Sequence, residues 1–521
     1  MIFNQLPKSW SVCLIGEAIL VNPRLDKRGI DDDIEVSFVP MPAVSAETGE
    51  INVLENKLFA EVKKGYTPFI ERDVLFAKIT PCMENGKMAV VPKLKNNLGF
   101  GSTEFHVLRC PTDILPEYVY YFISSKWFRV EAEHNMTGAV GQRRVPTTFL
   151  ESAKLPVPPF NEQKRIVAKI EELFSELDNG ISALKTAREQ LKVYRQAILK
   201  HAFEGKLTAK WREENLDKLQ NQEQLLAHIQ QERNTRYHQQ LNEWKAKAKP
   251  GKPKKPEPIT SLSMSEVQDL FKLPEGWVFL RLGNFIDNID AGKSFKCDER
   301  EPFSGEIGVA KVSAVTWGEY DESESKTCLD AAKVNPDYFI KSGDFILSRA
   351  NTIELVGACV IARRVTKPIM LSDKTLRINF SGINEKYVLQ YLRSHYGRNE
   401  IMKRSTGNQE SMRNIGQDRI HSIVIPVCGS SEMNLIDTAI NEKLESISQL
   451  SKEIEIQLLK AETLRQSILK KAFSGKLVPQ DPSDESASEL LARIRAEKEH
   501  QTKPANKSAI KRTRKKINCE A

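Results

Sequence analysis

The sequence predicts an α+β protein with a pseudo-two-fold internal repeat, in which two mixed α/β domains are separated by a long antiparallel two-helix coiled coil. Three observations predict this fold. The motif RQAILKHAFEGKL at Arg195–Leu207 recurs as RQSILKKAFSGKL at Arg465–Leu477. Each copy closes a long heptad pattern, which is typical of a paired helix. A chain of 521 residues is also too long for one hydrophobic core.

The duplication extends well beyond this motif and organises the whole chain. Asp73–Lys78 (DVLFAK) matches Asp344–Arg349 (DFILSR), and each predicts a buried strand that ends at a basic residue before a polar loop. Other matched pairs are Leu6-Pro7-x-x-Trp10 with Leu273-Pro274-x-x-Trp277, Thr137-Gly138 with Thr406-Gly407, Leu155–Val157 with Ile425–Val427, and Leu225–Ile229 with Leu490–Ile494.

The repeat predicts six segments along the chain. In order, they are a first mixed domain at 1–157, a first spacer helix at 158–206, a helical extension with a Lys/Pro linker at 207–268, a second mixed domain at 269–427, a second spacer helix at 428–476, and a C-terminal helix with a basic tail at 477–521.

Each spacer helix is predicted from apolar residues seven positions apart, and Gly205 and Gly475 are expected to end the two helices. An interleaved row, which includes Tyr194, Leu450 and Leu464, is expected to complete the seam. Because two matched seams occur in one chain, we expect the helices to pair with each other, although each helix could instead pack on its own domain. The predicted seam residues are Ile170, Leu177, Leu184, Leu191, Ile198, Ile440, Ile447, Ile454 and Ile468.

Composition and charge restrict the class of protein. The formal net charge is +8, and two lysine-rich runs, Lys245–Pro256 and Lys503–Lys516, contain no acidic residue. Such runs can neutralise DNA phosphates, or they can be a solvated linker and tail. The eight cysteines occur singly without metal-ligand spacing, so neither a disulfide framework nor a zinc site is indicated. Without a signal peptide or a membrane-spanning stretch, we expect a soluble cytoplasmic protein with no membrane partner.

Two similar domains held apart by paired helices suit a two-part site on duplex DNA. Two domains that read the same face of DNA contact half-sites that lie about 34–36 Å apart for each helical turn between them. Polar loops after the matched strands supply side chains that can bond base edges, although a Thr-Gly step is often simply a turn. The candidate DNA-binding residues are Lys78, Thr80, Asn85, Lys87, Gln142, Arg143 and Arg144 in the first domain, and Arg349, Asn351, Asn408, Gln409 and Arg413 in the second.

On these motifs the chain resembles the specificity subunit of type I restriction-modification systems along essentially its whole length. The most specific stretches are LPVPPFNEQKRIVAKIEELFSELD (Leu155–Asp178), the duplicated motif, LTAKWREEN (Leu207–Asn215) and LVPQDPSDESASELLARIRAEKE (Leu477–Glu499). One departure is the start of the second spacer helix, where CGSSEMNLID (Cys428–Asp437) replaces the P-P-x-x-E-Q run of Pro158–Gln163.

The resemblance implies a non-catalytic subunit without a cofactor or metal of its own. Its expected partners are double-stranded DNA, two modification subunits that methylate adenine with S-adenosylmethionine, and two restriction subunits that use ATP and magnesium. The mixed domains would be target-recognition domains, one for each half of an interrupted sequence. The spacer helices would set the gap and dock the modification subunits.

Two other classes of function have partial support in the sequence. Asn335–Phe339 (NPDYF) resembles the N-P-P-Y loop of a self-contained amino-methyltransferase, but Asp337 occupies the position of the second proline. Ala291–Phe295 (AGKSF) contains Gly-Lys-Ser, but Asp287 occupies the position where a phosphate-binding loop needs glycine. A coiled-coil scaffold without DNA readout would explain the helices but would leave the basic runs and the loop chemistry unused.

Overall fold

The computed structural model describes residues 6–52, 55–139, 141–247, 252–253, 255–259 and 262–502. The basic run at Lys503–Lys516 and part of the run at Lys245–Pro256 lie outside the described residues. Within the described chain, no helix is both long and apolar enough to cross a lipid bilayer.

The first half of the chain contains ten strands and eight helices among the described residues. The strands are β1 Ser11–Leu14, β2 Leu20–Val21, β3 Glu35–Val39, β4 Glu55–Leu58, β5 Thr67–Phe69, β6 Val74–Ala77, β7 Met88–Val90, β8 Gly99–Gly101, β9 Phe105–Arg109 and β10 Lys154–Val157. The helices are α1 Ile15–Ala18, α2 Phe59–Val62, α3 Pro116–Ser124, α4 Lys126–His134, α5 Thr147–Ser152, α6 Phe160–Phe203, α7 Ala209–Glu214 and α8 Gln222–Lys247.

The second half contains twelve strands and six helices among the described residues. Its strands are β11 Val278–Arg281, β12 Ile286–Ala291, β13 Gly308–Ala310, β14 Ser325–Thr327, β15 Phe345–Ser348, β16 Ala350–Asn351, β17 Cys359–Ile361, β18 Ile369–Met370, β19 Thr375–Phe380, β20 Thr406–Gln409, β21 Met412–Asn414 and β22 Val424–Val427. Its helices are α9 Met264–Val267, α10 Glu385–Arg393, α11 His395–Arg404, α12 Gln417–His421, α13 Ser430–Phe473 and α14 Ala487–Thr502.

The chain forms two compact units, and each contains parts of both long helices. Unit 1 lies within Met1–Lys185 and Glu455–Ala521, and unit 2 is Thr186–Ile454. The first mixed domain therefore belongs to unit 1 with the start of α6 and the end of α13, while the second belongs to unit 2 with the end of α6 and the start of α13. The boundary between the units crosses both long helices.

Among the described residues, each unit contains a four-stranded antiparallel sheet and a two-stranded pair, but unit 1 adds one four-stranded mixed sheet, whereas unit 2 adds two three-stranded sheets, β14-β13-β18 and β16-β21-β20. In unit 1, a four-stranded antiparallel sheet has the order β2-β9-β6-β7, a mixed sheet has the order β4-β3-β8-β5, and β1 pairs with β10. In unit 2, the sheet β12-β19-β15-β17 contains the matched central strand β15, and β11 pairs with β22. The central strands β6 and β15 are buried along their whole length, as the apolar runs in the sequence predict.

The helical segments run antiparallel within each unit. In unit 1, Arg165 of α6 pairs with Asp484, which follows α13, at 2.7 Å, whereas Asp178 further along α6 pairs with Arg465 within α13. As α6 proceeds toward its C-terminal end, its partners therefore have lower residue numbers, as in an antiparallel pair. In unit 2, Leu199 and Phe203 near the end of α6 share a core with residues near the start of α13. The alternative in which each helix packs only on its own domain is wrong.

The seam residues of the long helices differ in burial. Ile170, Ile198, Ile440, Ile447, Ile454 and Ile468 are buried, and Leu177, Leu184 and Leu191 are partly buried. The interleaved row of apolar residues does not stay buried along the helices. Tyr194 is 52% exposed, Leu450 is 55% exposed and Leu464 is 50% exposed. A helix covered on one side only buries a narrow stripe, so one row of apolar residues is enough.

The structure confirms the predicted fold class. Mixed sheets and helices form two similarly built units, and α6 and α13 each contain 44 residues. The duplicated motif ends both helices, with Gly205 at φ 70° and Gly475 at φ 69°, the left-handed conformation that favours glycine after a helix.

Candidate DNA-binding faces

In unit 1, the backbone brings the candidate DNA-binding residues of the first domain to one end of the β6 sheet. Lys78 directly follows β6, and its N–H donates to the Glu104 carbonyl at 2.9 Å. The Lys78 carbonyl accepts from the Val145 N–H at 2.8 Å, and the Thr80 N–H donates to the Arg143 carbonyl at 3.0 Å. The turn that contains Asn85 and Lys87 thus lies beside the Thr137–Arg144 loop. The described residues of that loop exclude Val140.

The side chains of this first face fall into two groups. Asn85 and Gln142 are exposed. Lys78, Thr80, Lys87, Arg143 and Arg144 are partly buried. Thr80 Oγ1 donates to Glu84 at 3.1 Å, and Lys87 Nζ donates to the Met41 carbonyl at 3.1 Å.

Carboxylates hold both arginines of the first face. Arg143 lies 3.4 Å from Glu84, and Arg144 pairs with Glu104 at 2.9 Å through two guanidinium nitrogens. The hydrogen bonds from Arg144 lower the pKa of the Glu104 carboxyl, so this ion pair is fully charged at neutral pH. Any contact of Arg144 with DNA would have to compete with this pair.

Unit 2 repeats the same backbone arrangement at its own face. Arg349 follows β15, its N–H donates to the Lys374 carbonyl at 2.9 Å, and its carbonyl accepts from the Ile415 N–H at 2.8 Å. The two short strands β16 and β20 flank β21 in a three-stranded sheet that contains Asn351, Asn408, Gln409 and Arg413. The structure therefore brings the five predicted residues of the second domain together.

The side chains of the second face pair with neutral groups. Arg413 donates to the Gly407 carbonyl at 2.8 Å, and Arg349 Nε lies 3.5 Å from Asn414 Oδ1. Asn351 Oδ1 accepts from the next backbone N–H. Asn408 and Gln409 are exposed. The two faces thus share a backbone frame but present different side chains.

A glycine turn is common to both faces. Gly138 has φ 120° and Gly407 has φ 125°. A Cβ atom at Gly407 would lie 2.4 Å from the Met412 carbonyl oxygen, and one at Gly138 would lie 3.0 Å from that of Gln142. The turn therefore requires the glycine of each matched Thr-Gly step, and a direct DNA contact is not needed to explain it.

Sequence reasoning missed a buried Trp–Glu cluster that occurs once in each unit. In unit 1, Trp10 Nε1 donates to Glu162 Oε1 at 3.0 Å, and Gln480 Nε2 donates to the same oxygen at 2.5 Å. The cluster joins the start of the first domain, the start of α6 and the segment after α13. Burial raises the pKa of the Glu162 carboxyl, against the hydrogen bonds that favour its charge.

The second Trp–Glu cluster has the same design with a charged partner. Trp277 Nε1 donates to Glu432 Oε2 at 2.9 Å, and Thr208 Oγ1 donates to Glu432 Oε1 at 2.6 Å. Arg212 forms an ion pair with that carboxylate. Glu432 thus takes the position of Glu162 despite the changed sequence at Cys428–Asp437. The signal in the sequence is its position, the third residue of α13, as Glu162 is of α6.

The duplicated motif packs each helix end against a domain. In unit 1, the Phe473 ring lies 5.2 Å from that of Tyr118, whose hydroxyl donates to the Pro156 carbonyl at 2.8 Å. In unit 2, Phe203 lies 5.2 Å from Tyr387, whose hydroxyl donates to the Pro426 carbonyl at 2.9 Å. A Cβ at Gly475 would lie 2.4 Å from Pro7 Cγ, and one at Gly205 would lie 2.3 Å from Pro274 Cγ. The motif occurs twice because the end of each long helix packs against a domain with the same tyrosine and proline contacts.

Neither enzyme-like motif has the local structure that its chemistry would need. Asn335 caps a 3₁₀ turn at Pro336–Tyr338, where its side chain accepts from the Asp337 N–H. The Ala291–Phe295 stretch begins at the last residue of β12 and does not open a helix, so it lacks the strand–loop–helix geometry of a phosphate-binding loop.

Comparison with known proteins identifies the family. Residues 15–186 match the type I restriction modification DNA specificity domain. The EcoEI specificity subunit of the Escherichia coli type I restriction enzyme is 30% identical over 510 residues, which cover 88% of this chain and 82% of that protein. The chain belongs to the type I restriction enzyme specificity subunits. These subunits are the non-catalytic components of type I systems, as expected from the sequence.

Other relatives of this specificity subunit agree in sequence and fold. The EcoAI specificity subunit of E. coli is 27% identical over 501 residues, which cover 88% of this chain and 82% of that subunit. A structure solved for the assembly and conformational transition of a type I restriction-modification system aligns with a TM-score of 0.65 at 18% identity, covering 91% of this chain and 100% of the other. The HsdS subunit from Thermoanaerobacter tengcongensis aligns with a TM-score of 0.52 at 18% identity, covering 91% and 98%. These two structures support the fold alone.

Proposed function

We propose that this specificity subunit reads a bipartite, interrupted sequence in duplex DNA, one half with each domain. The observation that carries the proposal is the pair of faces after β6 and β15. Both have the same backbone frame, in which a basic residue, Lys78 or Arg349, is held between two chain segments. Their exposed side chains differ, as two readers of unlike half-sites require.

The chemistry of both faces suits base readout. Asn85, Gln142, Asn408 and Gln409 expose amides, which can bond adenine through a donor and an acceptor. The arginines of the first face are held by carboxylates and are thereby oriented before any contact. Phosphates compete with those carboxylates for the guanidinium groups, so binding should weaken as the salt concentration rises.

The long helices are the proposed docking surface for two modification subunits, and restriction subunits complete the complex. Each unit has exposed apolar side chains on its helical segments, which lie among charged residues and suit a protein partner. They are Ile456, Leu459 and Leu464 in unit 1, and Val193, Tyr194 and Leu450 in unit 2. Because each unit has one such group of exposed apolar side chains, the chain offers two docking surfaces, one for each of two modification subunits.

The proposed division of labour leaves the chemistry to the partners. This chain needs no cofactor in the proposal, whereas S-adenosylmethionine, ATP and magnesium bind the modification and restriction subunits. We also propose a cytoplasmic location, in keeping with cysteines that are free throughout the described chain.

The decisive experiment is to map methylated adenines in DNA treated with the complex of this chain and its modification subunit. The expected result is one motif with two specific parts and an unspecified gap of fixed length. A complex that assembles on the helices but methylates without sequence preference would favour the coiled-coil scaffold. Methyl transfer by this chain alone would favour a self-contained amino-methyltransferase.

A further inference from the structure

Two cysteines of unit 2 lie opposite each other on neighbouring extended segments. Asp298 and Thr327 form an antiparallel pair and exchange both backbone hydrogen bonds, at 3.0 and 2.9 Å. In that register, the next pair outward is Cys297 with Cys328. The Cys328 N–H donates elsewhere, to the Ile307 carbonyl at 2.8 Å, so the cysteines occupy a non-hydrogen-bonded position.

This position suits a disulfide. Residues in a non-hydrogen-bonded antiparallel pair have Cα atoms about 4.5 Å apart and side chains on the same face. A disulfide requires Cα atoms about 4.4–6.8 Å apart. The Cys328 Sγ lies 3.4 Å from the Asp330 carbonyl oxygen, and no disulfide joins it to Cys297 in the structure.

Solvent can reach both thiols. Cys297 and Cys328 are partly exposed, whereas Cys13, Cys359 and Cys428 are buried. Burial raises the pKa of the Cys297 thiol, and the negative charge of a neighbouring Cys328 thiolate adds to the effect, in agreement with two sulfur atoms close together. Both sulfur atoms are therefore accessible to a small oxidant.

We propose that Cys297 and Cys328 are a redox-active dithiol that closes to a disulfide in the presence of a small-molecule disulfide such as oxidised glutathione. One cysteine thiolate attacks a glutathione sulfur, breaks its S–S bond and releases one glutathione thiolate. The second cysteine thiolate then attacks the protein sulfur of this mixed disulfide and releases the second glutathione. The two electrons lost by the cysteines reduce oxidised glutathione, and the two thiol protons end on the glutathione thiolates.

The disulfide would fix one wall of a cavity beside the second face. Cys297 lines a cavity of about 580 Å³ together with Asn351 and Lys374. The bond would tie the segment before Cys297 to the end of β14. An effect on DNA reading would rest on the proposed function, whereas the dithiol can be tested without DNA.

The test treats the full-length chain with oxidised glutathione, blocks the remaining thiols and maps tryptic peptides by mass spectrometry. Cleavage after Lys296, Arg300, Lys326 and Lys333 separates the two cysteines from the others. The expected product is peptide 297–300 linked to peptide 327–333, two hydrogen atoms lighter than the two free peptides, and dithiothreitol should release it.

Matched variants test the pairing. Cys297→Ser should leave Cys328 as a stable glutathione adduct, and Cys328→Ser should do the same for Cys297. Cys82→Ser, at a partly exposed cysteine of the first domain, should leave the linked peptide unchanged. Separate glutathione adducts on Cys297 and Cys328 in the wild-type chain, or two unreacted thiols beside a modified Cys82, would overturn the proposal. The wild-type map decides the question even if a variant fails to fold.

Discussion

Replacing the glutamate of each Trp–Glu cluster by glutamine should reveal how the two units differ in stability. Glu432→Gln keeps the shape and the hydrogen-bonding capacity of the side chain but removes its charge. Arg212, whose side chain is 14% exposed, then loses its carboxylate partner in the interior of unit 2. Breaking a buried ion pair in this way costs about 3–5 kcal/mol.

The matched substitution Glu162→Gln should cost much less. Its partners Trp10 and Gln480 are neutral, and an amide oxygen can still accept their hydrogen bonds. The loss is limited to the difference between a charged and a neutral acceptor, about 1 kcal/mol. Burial already disfavours the charge on Glu162, which reduces this loss further.

The assay is chemical unfolding of the full-length chain at neutral pH, followed by circular dichroism and by tryptophan fluorescence. The expected order of unfolding free energy is wild type, then Glu162→Gln slightly below it, then Glu432→Gln at least about 2 kcal/mol lower still. Because the two units can unfold in separate steps, each transition is fitted separately. Equal losses in the two variants, or a larger loss for Glu162→Gln, would refute the assigned role of Arg212.

Three further outcomes are expected. The pKa of Glu162 is raised in the folded chain above its ordinary 4.5, so the folded state binds this proton more tightly than the unfolded state. The contribution of Glu162 to stability should therefore fall as the pH rises from about 4.5 through the raised pKa. Glu162→Gln should remove this pH dependence of the unfolding free energy. Gly475→Ala should destabilise the chain by about 2 kcal/mol in chemical unfolding, because its backbone is left-handed and an added Cβ would contact Pro7. Gly180→Ala, in the open interior of α6, should stabilise the chain by about 0.5–1 kcal/mol in the same assay. Arg143→Ala should relax methylation specificity in one half-site and Arg413→Ala in the other, each by about 1–3 kcal/mol in competition between DNA targets; relaxation of both halves by one variant would contradict separate readers.

The elements that depend on local patterns could be predicted from the sequence. The heptad spacing predicts the two long helices, and the apolar runs before Lys78 and Arg349 predict the buried strands β6 and β15. The duplicated motif also indicated correctly that the chain is built twice. These features follow from spacing within a few turns or a few residues, which a single sequence displays directly.

Features that depend on distant residues could not be predicted. Glu104 meets Arg144 because the register between β6 and β9 brings Glu104 beside Lys78, and nothing in the local sequence gives that register. The exposure of Tyr194 also depends on how much of α6 another element covers. The position of Glu432 could have been found from its place in α13, since Glu162 has the same place in α6.

The most direct test of the account is to exchange residues 1–155 for the corresponding domain of another specificity subunit. The exchange keeps Trp10, which donates to Glu162 of α6, and Tyr118, which packs against Phe473 at the end of α13. Methylated sites are then mapped for the assembled complex. If two separate readers occur in one chain, one half of the target should change, and the other half and the gap should stay the same. A change in both halves, or an unchanged target, would contradict the account.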